Sequence, residues 1–200
     1  MNAPLGVILA GGQASRMGGG DKGLRLLGGV TILGHVIDRL SPQVSDLALN
    51  ANGAPERFDL GLPVLPDSIA GFAGPLAGVL AGLDWAAEQG ADTIVTAAAD
   101  TPFFPCDLVP QLLLASEGMQ HPLALAATRE GGKVFRHPTF GIWPVALRDN
   151  LRAALTDGLR KVVLWTDQHD GKLAEFPVTR FDPFFNVNTP EDLAKAEGYL

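Results

Sequence analysis

The sequence predicts an α/β protein: three layers, α/β/α, around a mostly parallel sheet. Short apolar runs alternate along the chain with segments of helical period, and such alternation implies crossover connections, hence parallel strands covered on both faces. Size is the second observation: 200 residues, 46% of them hydrophobic, without internal repeat, low-complexity tract or long linker, fit one compact domain over residues 1–200.

The elements follow in order. GVIL (6–9) is a buried strand, and TILGHVIDRL (31–40) sets Ile32, Leu33, Val36, Ile37 and Leu40 on one helical face. DLALN (46–50) is a second strand, after which Ala51, Asn52 and Gly53 turn the chain, and LPVLPD (62–67) is a third. Beyond GPLAG (74–78), Leu76, Val79, Leu80 and Leu83 recur at helical spacing until Gly90, a natural C′ residue. TIVTAAAD (93–100) is a continuous apolar run closing on an aspartate. DLVPQLLLA (107–115) reads as a helix with Pro110 in its first turn. LALAAT (123–128) and TFGIW (139–143) read as strands, VALRDNLRAAL (145–155) and RKVVLWT (160–166) as helices. Thr189, Pro190, Glu191 and Asp192 open a closing helix: a capping hydroxyl, proline at N1, then two acids against the dipole.

Charge narrows the function. Asp and Glu number 22 against 15 Lys and Arg, a formal net charge of −7, which argues against a nucleic-acid or anionic-membrane partner, since both draw on a broad basic face. A phosphate-bearing ligand must therefore meet a local cluster of cations. The single cysteine, Cys106, excludes an intramolecular disulfide framework and fits a reducing compartment. No basic leader precedes the first apolar run, and no window approaches the roughly 18 apolar residues of a membrane span. The expectation is a soluble, cytoplasmic protein.

In parallel sheets, ligands bind beyond the carboxyl ends of the strands. Behind the first strand lies LAGGQASRMGGGDKGL (9–24), with six glycines around Arg16 and Lys22; behind the second lie Asn50 and Asn52, behind the third Asp67, behind the fourth Asp100, Thr101 and Pro102. Glycine clusters commonly just make turns, and aspartates after strands often cap helices. The coincidence of all four at one edge points to a site. The glycines match neither GxGxxG nor a Walker loop, yet backbone N–H groups freed by glycine form an anion-binding concavity, to which Arg16 adds a planar fork and Lys22 a point charge. Asp100 suits Mg²⁺, a hard cation that takes one or two carboxylates and completes its shell with water and phosphate oxygens. Asp67 is a second acid or a ligand-orienting group. A nucleoside triphosphate with magnesium is the ligand these residues jointly suit.

The opening stretch resembles the signature of nucleotidyltransferases of the glycosyltransferase-A type, a Rossmann-like fold. NAN (50–52), PD (66–67), GPLAG (74–78), DTP (100–102), RHP (136–138) and FNVNTPEDL (185–193) follow in order, and together they resemble the molybdenum cofactor guanylyltransferase (MobA) family over nearly the whole chain. That resemblance implies transfer of GMP from GTP to the terminal phosphate of molybdopterin, with release of pyrophosphate. It places Leu9, Ala10, Gly11 and Gly12 around the nucleotide, Lys22 on its phosphates, Asn50 and Asp67 on the nucleoside, magnesium on Asp100, and Arg16 on the signature arginine. It also implies transient contact with molybdoenzyme apoproteins or their chaperones.

Such a reaction asks little acid–base chemistry of side chains. A phosphate oxygen is already a nucleophile, so holding it in line with the α-phosphorus and neutralising the departing pyrophosphate suffices, work that falls to Arg16, Lys22 and Asp100 with its ion. His137, in RHPTFGIW, is read as a substrate-binding or structural histidine and not as a proton carrier. Arg129, Lys133, Arg136, Arg160 and Lys161 are the cations available to a pterin phosphate, though ordinary solvated charge describes most of them. Open alternatives are a cytidylyltransferase for the same pterin, a sugar-phosphate nucleotidyltransferase and a non-catalytic nucleotide-binding protein.

Overall fold

The structure is a computed structural model that describes residues 3–11, 22–69, 71 and 74–200. Its sheet is built from β1 (Leu5–Leu9), β4 (Leu47–Asn50), β5 (Val64–Leu65), β6 (Thr93–Ala98), β7 (Ala124–Glu130), β8 (Lys133–Pro144) and β9 (Lys172–Phe176), in the spatial order β5-β4-β1-β6-β8-β7-β9. Every pairing is parallel except the two made by β8. A separate small hairpin joins β2 (Leu26–Leu27) to β3 (Val30–Thr31). The helices are α1 (Ile32–Leu40), α2 (Pro75–Glu88), α3 (Leu108–Ala115), α4 (Arg148–Thr156), α5 (Val162–Gln168) and α6 (Pro190–Glu197). Among the described residues, no helix is long and apolar enough to cross a membrane.

Strand alternation sorts the core into layers. Ile8, Leu49, Val95 and Ala97 face α1 and α3 through Leu33, Val36, Leu40, Leu108 and Leu112, whereas Val7, Leu9, Ala48 and Ile94 face α2, α4 and α5 through Leu76, Val79, Leu80, Leu151 and Trp165. Burial on both faces is why β1 reads as an unbroken apolar run. Helix α2 lies especially close to the sheet: at Gly82 an added Cβ would stand 2.8 Å from Val7 Cγ2 and 2.9 Å from Ile94 Cδ1. That approach brings the start of α2 to the carboxyl ends of the strands.

Pro110 is the third residue of α3, inside its first turn as expected. Thr189 caps α6 in a reciprocal box, its hydroxyl accepting from Asp192 N–H (3.1 Å) while the Asp192 carboxylate accepts from Thr189 N–H (2.9 Å). Three expectations change. The third strand is limited to Val64–Leu65, because Pro63 and Pro66 flank it and supply no ladder donor. The run at 139–143 belongs to a longer strand, β8, which contains Pro138; the register there slips from Leu125 opposite Gly141 to Ala126 opposite His137, leaving residues 138–140 in a bulge where proline interrupts no ladder bond. β9 has no counterpart in the sequence reading, since in KLAEF only Glu175 separates the buried Ala174 and Phe176 and the apolar Leu173 breaks the alternation over a span this short.

Candidate functional site

A cleft of about 540 Å³ opens beyond the carboxyl ends of β1, β4, β5 and β6. That size suits a drug-sized ligand. Leu9, Ala10 and Gly11 line it where β1 ends, Asn50 where β4 ends, Asp67 after β5 and Asp100 after β6; Lys22, Gly74 and Pro75 at the head of α2, Thr139 and Asn186 complete the wall. Seven of the residues singled out from sequence, Leu9, Ala10, Gly11, Lys22, Asn50, Asp67 and Asp100, are thus brought together. Gly12 and Arg16 lie outside the described residues.

At one end of the cleft an asparagine pair braces Asp67. The Asn50 amide, almost fully buried, donates to Leu65 O and to Asp67 Oδ1, each at 3.0 Å. Asn52 donates to Asp67 Oδ2 at 2.8 Å and accepts the Asp67 backbone N–H at 2.9 Å. Both carboxylate oxygens are held by amide donors and keep lone pairs for a further donor. Gly78 of α2 makes room for this arrangement, since a Cβ there would overlap Asn50 Oδ1 and stand 2.9 Å from Leu9 Cδ2. The sequence sets Asn52 behind the second strand with Asn50, and the resemblance assigns only Asn50 and Asp67 to the nucleoside; in the structure Asn52 supports Asp67.

At the other end stands Asp100. Burial pushes its carboxyl above the ordinary value, against the opposing pulls of the Thr101 hydroxyl and the Lys22 charge. The Thr101 hydroxyl donates to Asn186 Oδ1 at 2.6 Å, with Asp100 Oδ1 a second acceptor at 3.2 Å. Lys22 Nζ donates to Asn188 Oδ1 at 3.0 Å, and Val187 N–H donates to Asp100 O at 2.8 Å. The segment before α6 therefore supplies two asparagines to this end of the cleft. Sequence reasoning used FNVN (185–188) only for its resemblance and TPED (189–192) for the helix cap, and it gave the two asparagines no role of their own.

Among the described residues, no group of three or more His, Cys, Asp and Glu side chains gathers. The described residues therefore offer no protein-only cage for a metal. Its donors near Asp100 are hard oxygens, one carboxylate and the Asn186 amide oxygen, a set that fits a cation completed by water and phosphate.

His137 lies away from the lining. Its Nε2 meets Thr128 Oγ1 at 2.9 Å, and its ring stacks on Phe184 with centroids 4.2 Å apart and planes at 18°. Burial pushes its pKa below the usual histidine value, partly offset by the Asp182 charge. Of the cations considered for an acceptor phosphate, Arg129 forks onto Glu175 (3.0 and 2.5 Å) and Arg136 pairs with Asp167 (2.7 Å), and neither they nor Lys133, Arg160 and Lys161 line the cleft.

Comparison with known proteins gives this geometry a context. The family described as MobA-like NTP transferase domain matches residues 6–171. A molybdenum cofactor guanylyltransferase of Rhodopseudomonas palustris (strain HaA2) is 54% identical over 200 residues, covering 98% of this chain and 92% of that protein. One of Cereibacter sphaeroides is 50% identical over 197 residues, covering 98% and 96%. Among solved structures, the fold is similar to molybdopterin-guanine dinucleotide biosynthesis protein A from Archaeoglobus fulgidus, with TM-score 0.70, 23% identity and coverage of 98% and 97%. It is also similar to 4-diphosphocytidyl-2C-methyl-D-erythritolsynthase from Anaerococcus prevotii, with TM-score 0.74, 15% identity and coverage of 99% and 96%. The mostly parallel nucleotidyltransferase fold expected from sequence is the fold observed.

Proposed function

Since the chain belongs to the MobA-like NTP transferase family, we propose that its cleft transfers GMP from GTP to the terminal phosphate of molybdopterin and releases pyrophosphate. The observation that carries this reading is the convergence, in one cleft, of the braced Asp67 carboxylate with Lys22 and Asp100. Guanine offers neighbouring N–H donors on its Watson–Crick edge, and a carboxylate whose oxygens are already fixed by Asn50 and Asn52 is an acceptor positioned to take them. Leu9, Ala10 and Gly11 surround the nucleotide, Gly12 is assigned the same role from its place in the signature, and Lys22 neutralises the phosphates.

Asp100 would hold Mg²⁺, which when bound supplies positive charge where the triphosphate is cleaved. The chain's own part is placement. Lys22, tethered to Asn188, offsets phosphate charge, and Arg16 is assigned the same task from its place in the signature. An acceptor phosphate oxygen forms a bond to the α-phosphorus while the bond from that phosphorus to the bridging oxygen breaks, and the electron pair leaves with pyrophosphate. No proton has to move, so no histidine base is invoked. We further read residues 1–200 as one nucleotidyltransferase domain acting in the cytoplasm, handing its product on through transient contact with molybdoenzyme apoproteins or their chaperones.

The decisive assay is pyrophosphate release from purified protein with molybdopterin, magnesium and either GTP, CTP or ATP. Release should require the pterin and be fastest with GTP. Equal or faster release with CTP overturns the guanylyl assignment, and none with any nucleotide leaves a binding protein.

A further inference from the structure

Residues 177–189 run from β9 to α6 outside any helix or strand, and part of this strap is tied to the groups just described. Val187 N–H holds Asp100 O, Asn186 takes the Thr101 hydroxyl and Asn188 takes Lys22. A segment without ladder bonds needs an anchor of its own. Phe184 is that anchor: it is 4% exposed, edge-on to Phe140 (4.9 Å) and to Phe176 (5.4 Å), with His137 stacked on it. Asp182 folds the strap into place by accepting Phe184 N–H at 2.9 Å. His137 is itself fixed from behind by Thr128, a buried residue of β7.

We propose that His137 is a positioning residue: by clamping Phe184 from the β8 side it holds the strap that presents Asn186 and Asn188, and through them sets Lys22 and Thr101 beside Asp100. Its ring face is spent on Phe184 and its Nε2 on Thr128, which leaves the imidazole a structural part of the clamp. The inference rests on the nucleotidyl-transfer reading, and the strap is monitored separately from turnover so that the two fail in different ways.

The experiment compares wild type, His137→Ala, Phe184→Ala, their combination, and a repacked variant, Thr128→Val with His137→Phe, which keeps a stacking ring and removes both hydrogen-bonding partners together. Amide hydrogen exchange of peptides spanning 182–189 reads the strap, and steady-state kinetics with GTP, magnesium and molybdopterin across the imidazole titration range read transfer. Both alanine variants should accelerate strap exchange and lower kcat by about tenfold, and the combination should be no worse than the worse single change, as for residues acting through one contact. The repacked variant should regain strap protection and kcat to within about threefold of wild type, with the same pH profile. Thermal unfolding accompanies every variant; if His137→Ala does not fold, His137→Gln, which retains a partner for Thr128 but no ring, takes its place with the same expectation. Unchanged strap exchange after loss of the ring overturns the proposal. So does a repacked variant with a protected strap and a kcat as low as the alanine variant, because the imidazole then acts on substrate directly.

Discussion

Asp100 carries opposing demands in a single carboxyl. Its burial raises the pKa, so between the ordinary carboxylate range and the raised value the folded chain keeps a proton that the unfolded chain has lost; stability falls as pH rises through that window, and burying the carboxyl is a standing cost once it is passed. Asp100→Asn removes that charge. The variant should therefore unfold at a temperature no lower than wild type at neutral pH, while its transfer rate drops by about two to three orders of magnitude, the scale of losing one preorganised electrostatic group. Calorimetry and pyrophosphate release check the two halves, and a variant both inactive and clearly less stable would make Asp100 a structural residue. At this scale the sequence was informative wherever a polar residue ends a strand: that Asn50, Asp67 and Asp100 share one cleft was legible because the strand before each one is. Asn186 and Asn188 were not, since irregular backbone carries no periodicity to say where it returns.

Helix α2 shows how an element serves a site it barely touches. Leu76, Val79, Leu80 and Leu83 were readable as its buried face, but Leu76 to Leu83 are all buried, and the reason is the pair of glycines that let the helix settle onto the strands. Gly78→Ala has two effects of opposite sign: alanine favours the helix by up to about 1 kcal/mol, and its Cβ would overlap Asn50 Oδ1. Overlap should win. Displacing Asn50 unbraces Asp67, so GTP should bind at least about tenfold more weakly by direct titration, roughly the 1.4 kcal/mol of one lost charge-assisted hydrogen bond, whereas an unchanged affinity would show that Asn50 moves aside without consequence. The elements that sequence missed are the ones with least signal: β9 with its half-buried alternation, and the β2–β3 hairpin of two residues a side. The bulge in β8 was hidden for another reason, because a register slip is a relation between two strands and neither strand records it alone.

For the whole molecule, the net charge of −7 and an anionic substrate pull in opposite directions, so affinity has to come from local geometry. On the proposed reading it comes from the braced Asp67 carboxylate and from Lys22, both of which line the cleft. A ligand that binds only the folded chain raises its melting temperature by mass action, so GTP with magnesium should stabilise the protein more than CTP or ATP at equal concentration. Equal shifts would mean that phosphates alone are recognised and that the Asp67 brace reads no base. The hydrogen bond from Lys22 to Asn188 spans 166 positions of the chain. Synthesis runs from the N-terminus, so the cation is made well before its partner. The strands that frame the cleft are all made before the strap that tethers Lys22, so the last tie in the site closes only after its walls exist.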